Sequence, residues 1–274
     1  MSLQLHFFIL ACITGISFKV AAQNIPLSDF EETEIPAPYT TAWYPLNNSK
    51  TSFTVSIINK KLNVSKARRS DRIEYDLKEG KLYAINNGEF GGGLYYKPND
   101  TTIKQIYVNG NLQDKTVPMG NKIPMLAGVQ YNEDRFGFLN GAIYLSHGNY
   151  QKIFSFNNSV YIQSGTTHMG FIEGNFSKLT KDQTGFTITS MLDMDDCPMA
   201  FCIFKNTIYL AGFKSFRIIN NWKDKIVKQD LFWQTLNPNS VAVSNAQTVY
   251  IGIRSGFVQL NSITGEIKFY KYKF

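Results

Sequence analysis

Apolar and polar residues alternate in short runs along most of this chain, and Asn, Gly, Asp and Lys separate the runs. From about residue 40 onward no stretch repeats its apolar positions with the period of a helix. A two-residue period bounded by turn-forming residues predicts strands joined as hairpins. The clearest set is the last: 240–244 (SVAVS), 248–253 (TVYIGI), 256–260 (GFVQL) and 265–270 (GEIKFY). Tight turns at 245–247, 254–255 and 264–265 join these four strands.

The preceding set has the same grammar: 199–204 (MAFCIF), 207–212 (TIYLAG), 215–219 (SFRII) and 225–231 (KIVKQDL). Tyr209 and Tyr250 hold equivalent places in their second strands. Residues 72–108 fit as RIEYDL, KLYAIN, GGLYYKP and IKQIYV, with Tyr83 in that same place. The middle is cut as 124–131, 135–139, 142–146 and 151–156, then as 159–164, 168–173, 176–180 and 185–192. First strands then begin near 72, 124, 159, 199 and 240. Residues 41–59 (TAWYPLNN, TSFTVSII) supply two more strands. The acidic, Pro-containing stretch from Gln23 to Tyr39 reads as a tether or wrapping segment.

A four-stranded meander cannot bury both of its faces alone, whereas radial stacking of such units buries both and leaves short edges. The run VYIGIRSGFVQLNSITGEIKFY carries the resemblance. It is similar to β-propeller repeats, most closely those of quinoprotein and sensor-kinase type. The likeness is closest over 240–274, fair over 199–232 and loose elsewhere. It implies an all-β fold of five or six four-stranded blades over residues 40–274; the alternatives are a β-sandwich or a two-sheet barrel. The Trp found at a fixed place in each blade of those repeats is absent here, which argues against an inherited quinone cofactor.

Composition agrees with strands: charged residues are only 18% and aromatic residues 14% of the 274. The formal charge is +7, but the Lys and Arg residues are scattered in short runs. That reads as a soluble basic surface, and no nucleic-acid partner is expected. Residues 7–17 (FFILACITGIS), followed by Val20, Ala21 and Ala22, form an apolar core and a small-residue cleavage site. A cleaved leader over 1–22 is therefore expected, although no Lys or Arg precedes the apolar run. The end of that leader is similar to those of exported proteins from Gram-negative gliding and gut bacteria. A secreted or periplasmic monomer without a transmembrane segment follows as the expectation. Cys197 and Cys202 remain after the leader. In an extended strand their Cα atoms would be roughly 16 Å apart, whereas a disulfide needs less than about 7 Å, so two buried thiols are expected.

The chemistry-bearing motifs are sparse. No paired-histidine zinc spacing, phosphate-cradling loop or nucleophile elbow is present. In a propeller, the loops joining second to third strands share one face with those joining neighbouring blades. On the strand assignment above, that face collects Glu89, Asn140, Glu173, Lys214 and Arg254, with His168 at its rim. Asp193, Asp195 and Asp196 form the densest carboxylate cluster, and calcium is the cation such oxygens would suit. The reading that results is a non-catalytic binding or scaffold module for a protein or a glycan. The alternative is a carbohydrate-active or lactone-hydrolysing enzyme with carboxylates at the channel mouth.

Overall fold

The computed structural model describes residues 24–67, 73–86, 88, 92–114, 137–168 and 170–273. The expected leader, Glu89, the expected strand over 124–131 and the start of that over 135–139 lie outside them. The described residues form an all-β protein of five sheets, none of them closed.

The N-terminal segment carries β1 (Asn24–Ile25) and β2 (Phe30–Thr33). Sheet I consists of β3 (Phe53–Ile58) and β4 (Lys61–Lys66), with β1 on the far side of β4. Sheet II begins with β5 (Ile73–Leu77), β6 (Gly80–Asn86) and β7 (Gly92–Pro98). The hairpin of β8 (Gln105–Val108) and β9 (Asn111–Asp114) then leaves this sheet, and β10 (Ile143–His147) returns to pair with β7. Sheet III contains β11 (Tyr150–Phe156), β12 (Ser159–His168), β13 (Phe171–Lys181) and β14 (Gly185–Met194). The β8–β9 hairpin extends it through a parallel pairing of β8 with β14. Sheet IV is β15 (Pro198–Phe204), β16 (Thr207–Gly212), β17 (Phe216–Asn220) and β18 (Lys223–Lys228). Sheet V is β19 (Ser240–Val243), β20 (Thr248–Ile253), β21 (Gly256–Asn261) and β22 (Ile267–Tyr272), with β2 paired outside β22.

Local chemistry explains the hairpins. Asn59-Lys60, Asn109-Gly110, Asn157-Asn158, Lys205-Asn206 and Asn221-Trp222 all have positive φ at both positions. Each is a two-residue turn whose twist matches that of the strands it joins, and Asn tolerates this backbone well.

Each sheet shares a separate apolar core with its neighbour. Phe53 and Val64 of sheet I meet Ala242 and Phe257 of sheet V. Val249 and Ile251 of sheet V meet Ala211 and Phe216 of sheet IV, sealed by Trp233. Ile208 and Leu210 of sheet IV meet Phe154 and Phe176 of sheet III. Ile153 and Ile162 of sheet III meet Leu82 and Leu94 of sheet II. The other face of sheet II, with Tyr83 and Tyr95, packs against Leu139 and Ala142. The consequence is visible in β16, where five successive residues, Ile208 to Gly212, are buried.

Sheets IV and V reproduce the four-strand units expected from the sequence. Four expectations differ. The unit expected over 124–156 is divided, its 142–146 strand pairing with β7 in sheet II as β10 and its 151–156 strand pairing with β12 in sheet III as β11. Residues 41–48 do not form a strand: Tyr44–Asn48 is a single helical turn, α1. Pro45 has no N–H for a ladder, and its fixed φ suits the first turn of a helix. The 103–108 strand is not the fourth of its own unit, because β8 buries Ile106 and Val108 in the seam between sheets II and III. The four short strands expected over 159–192 are three long ones, since Gly174-Asn175 continues β13 rather than turning it.

Candidate binding cleft

The chain passes from sheet II to sheet III through Gly148-Asn149, between β10 and β11. Beside this crossing lies a cleft of about 530 Å³. Its walls are His147, Asn149, Ser164, Thr166, Glu173, Asn175 and Asp193, with Met194 and the glycines at 148, 165 and 174.

Strand alternation aims these groups together. Thr166 pairs with Glu173, and Ser164 with Asn175, so all four stand on one face of the β12–β13 ladder. Asn175 pairs in turn with Asp193 on β14. The Asn175 amide donates to Asp193 Oδ1 at 2.5 Å and to Ser190 Oγ at 2.8 Å. Ser190 donates to the same Asp193 oxygen at 3.1 Å. Asp193 is thus held by its neighbours before any ligand arrives.

Gly165 and Gly174 face each other across the two strands. A Cβ on Gly174 would lie 2.1 Å from Pro198 Cδ, and one on Gly165 would lie 2.7 Å from Cys197 Sγ. The entry of sheet IV therefore packs flush against the back of the cleft, and only bare backbone fits there. Asn149 forms the opposite side. Its carbonyl accepts from the Gly165 N–H at 3.0 Å. Its side-chain amide donates to Gly88 O at 2.6 Å and to Thr166 Oγ1 at 3.2 Å. Asn149 Oδ1 is buried and has no hydrogen-bond partner among the described residues.

Among the residues expected to form a site, Glu173 and Asp193 line this cleft. His168 is half-buried on the same face of β12, four residues beyond Ser164. The acidic run is divided among three environments. Asp193 belongs to the cleft. Asp195 is an exposed carboxylate bound to Arg217, which also donates to Asp224 Oδ2 at 2.5 Å. That hydrogen bond from Arg217 holds the Asp195 carboxyl below its ordinary range. Asp196 is buried and accepts from the Lys214 N–H at 3.1 Å and from Ser215 Oγ at 2.5 Å. Burial pushes its pKa up despite those donors. Among the described residues, no group of three or more His, Cys, Asp or Glu side chains is gathered to hold a metal ion.

Lys214 serves the Asp196 turn through its backbone. Arg254 is bound to Asn47 O, and its own N–H donates to Leu236 O at 2.7 Å, so it fastens α1 to sheet V. Asn140 lies in an exposed turn after Leu139. His147, Asn149, Ser164, Thr166 and Asn175 are the polar cleft residues that sequence reasoning missed; Asn149 lies in the short link between two strands, and the other four stand on strands, where nothing in the local sequence sets them apart. No protein-family model matches the chain, and no curated protein matches it.

Proposed function

We propose that this is an exported, five-bladed β-propeller acting as a non-catalytic binding module, with the cleft beside Asn149 as its ligand site. The observation that carries the site is the convergence of Asn149, Thr166, Glu173 and Asp193 on one recess with a backbone floor. The order of the cores supports the ring. Distinct cores join sheet I to V, V to IV, IV to III and III to II. Sheets I and II are consecutive in the chain, and closing the ring would set them side by side. A two-sheet sandwich would instead place one core between two sheets. Pairing of β1 with sheet I and of β2 with sheet V ties that junction from outside.

Asp193 already accepts two hydrogen bonds from its own sheet, as suits a fixed binding acceptor. A differential thermal-shift screen with glycans and peptides tests the site. Compounds that raise the melting temperature of the wild type should lose that effect on the Glu173→Gln/Asp193→Asn variant, and be recovered chemically unchanged. Recovery of cleaved glycan would favour the hydrolase reading of the two carboxylates.

A further inference from the structure

We infer that the cleft takes an uncharged, hydroxyl-rich sugar, oriented by the Asn149 side-chain carbonyl and stacked on Phe171; this rests on the binding reading above and names its ligand class. Asn149 is only 7% exposed, and its Oδ1 lacks a donor among the described residues. Exchanging the amide's oxygen and nitrogen would not help. It would set a carbonyl against Gly88 O, now 2.6 Å from the amide nitrogen. The orientation is therefore fixed, and a buried acceptor without a partner calls for an O–H or N–H from outside the protein.

The rest of the lining narrows the ligand. Ser164 and Thr166 offer hydroxyls that can both donate and accept, and Glu173 and Asp193 offer carboxylate acceptors. No Lys or Arg is among the described lining residues, and Glu173 and Asp193 make this recess locally acidic on a protein of net charge +7. Phosphate, sulfate and uronate groups meet like charge there. A polycation meets the protein's overall positive field on its approach. Neutral hydroxyls satisfy both conditions.

Phe171 supplies the apolar half of sugar recognition. It is 64% exposed and stands two residues from Glu173 on the same face of β13, about 7 Å along the strand. An exposed ring beside a polar recess suits the C–H face of a pyranose, whose edge hydroxyls then reach the recess.

Isothermal titration of the full chain with three probes tests this: neutral gluco-, galacto- and manno-oligosaccharides, oligogalacturonate, and spermidine. The expected result is binding of a neutral oligosaccharide alone. Phe171→Ala, at an exposed position, should keep the wild-type melting temperature and weaken that binding roughly tenfold. Asn149→Ala should weaken it at least as much; if that variant melts early, Phe171→Ala and Glu173→Gln decide. Oligogalacturonate or spermidine binding that Glu173→Gln alters, without neutral-sugar binding, overturns the ligand class and leaves the cleft as a binding site. Neutral-sugar binding that is unaffected by all three variants overturns the assignment to this cleft. Binding of none of the probes overturns the sugar inference, and a negative thermal-shift screen would then remove the binding reading as well.

Discussion

Ser215 Oγ donates to Asp196 Oδ2 at 2.5 Å, and both side chains are buried where sheet III hands the chain to sheet IV. Ser215 in turn accepts from Arg217 Nε at 2.9 Å. Arg217 is 3% exposed and is also bound to Asp195 and Asp224. One buried guanidinium therefore organises two neighbouring aspartates in opposite ways, one by direct pairing and one through a serine.

The two aspartates should couple stability to pH with opposite signs. Burial raises the folded pKa of Asp196 above 3.8. Its contribution is fully present below that ordinary value and is lost as pH rises through the raised one. The Arg217 hydrogen bond lowers the folded pKa of Asp195 below 3.8. Its contribution is present above the ordinary value and is lost as pH falls through the lowered one, and solvent screening keeps it small because Asp195 is 69% exposed. Urea unfolding between about pH 3.5 and 7 checks both signs. The stability advantage of wild type over Asp196→Asn should shrink as pH rises, and its advantage over Asp195→Asn should grow. An Asp196→Asn gap that widens with pH would contradict the burial effect.

Gly174→Ala should be among the most damaging single-methyl additions in the protein. Its Cβ would meet Pro198 Cδ at 2.1 Å and the Asp196 carbonyl at 2.5 Å, so backbone must move. A loss of about 3 kcal/mol or more is expected, at the upper end for overpacking. Gly110→Ala is the control: nothing lies within 4 Å, and only its φ of +80° opposes a side chain. That change should cost about 1 kcal/mol. Equal losses in guanidinium unfolding would refute the close approach at Gly174.

Cys197 and Cys202 should resist thiol reagents in the native protein. Both are free; Cys197 is buried as expected, whereas Cys202 is only partly buried, and desolvation pushes each pKa up to about 11. The reactive thiolate is therefore scarce at neutral pH. Iodoacetamide at pH 8 should leave both unlabelled until denaturant is added, as followed by mass spectrometry. Rapid labelling of either in native buffer would show that its side chain is open to solvent.

Sheets IV and V are legible because each strand is short, rich in β-branched and aromatic residues, and set off from the next by a short turn. Sheet III is not, because Gly174-Asn175 looks like a turn and is instead a strand interior kept bare by Pro198. The exchange of β8 for β10 in sheet II is a choice between two apolar strands of similar pattern, and only the tertiary seam that buries Ile106 and Val108 decides it. Tyr83 shows the same limit. It aligns with Tyr209, yet it packs on Phe138 with ring centres 5.1 Å apart, not in a core shared with a neighbouring sheet. Two carboxylates of the cleft were visible as candidates. Asn149 was not, because an unpaired buried carbonyl is a property of its surroundings.

The N-terminal segment should be a fastener rather than a loose tether. Phe30 on β2 is 6% exposed and meets Phe53 of sheet I and Phe257 of sheet V, with ring centres at 5.3 and 5.1 Å. β2 also supplies the outer partner of β22 over Phe30–Thr33. Phe30→Ala removes the central ring of a four-ring contact, with Phe53, Phe257 and Tyr272, between two sheets, and a loss of about 3–5 kcal/mol is expected. Hydrogen exchange would localise it. Amides of β22 that bond to β2 should exchange far faster in the variant, while those in β15 to β17 of sheet IV keep their protection. Uniform acceleration across all five sheets would mean that Phe30 supports global stability alone and does not hold this junction.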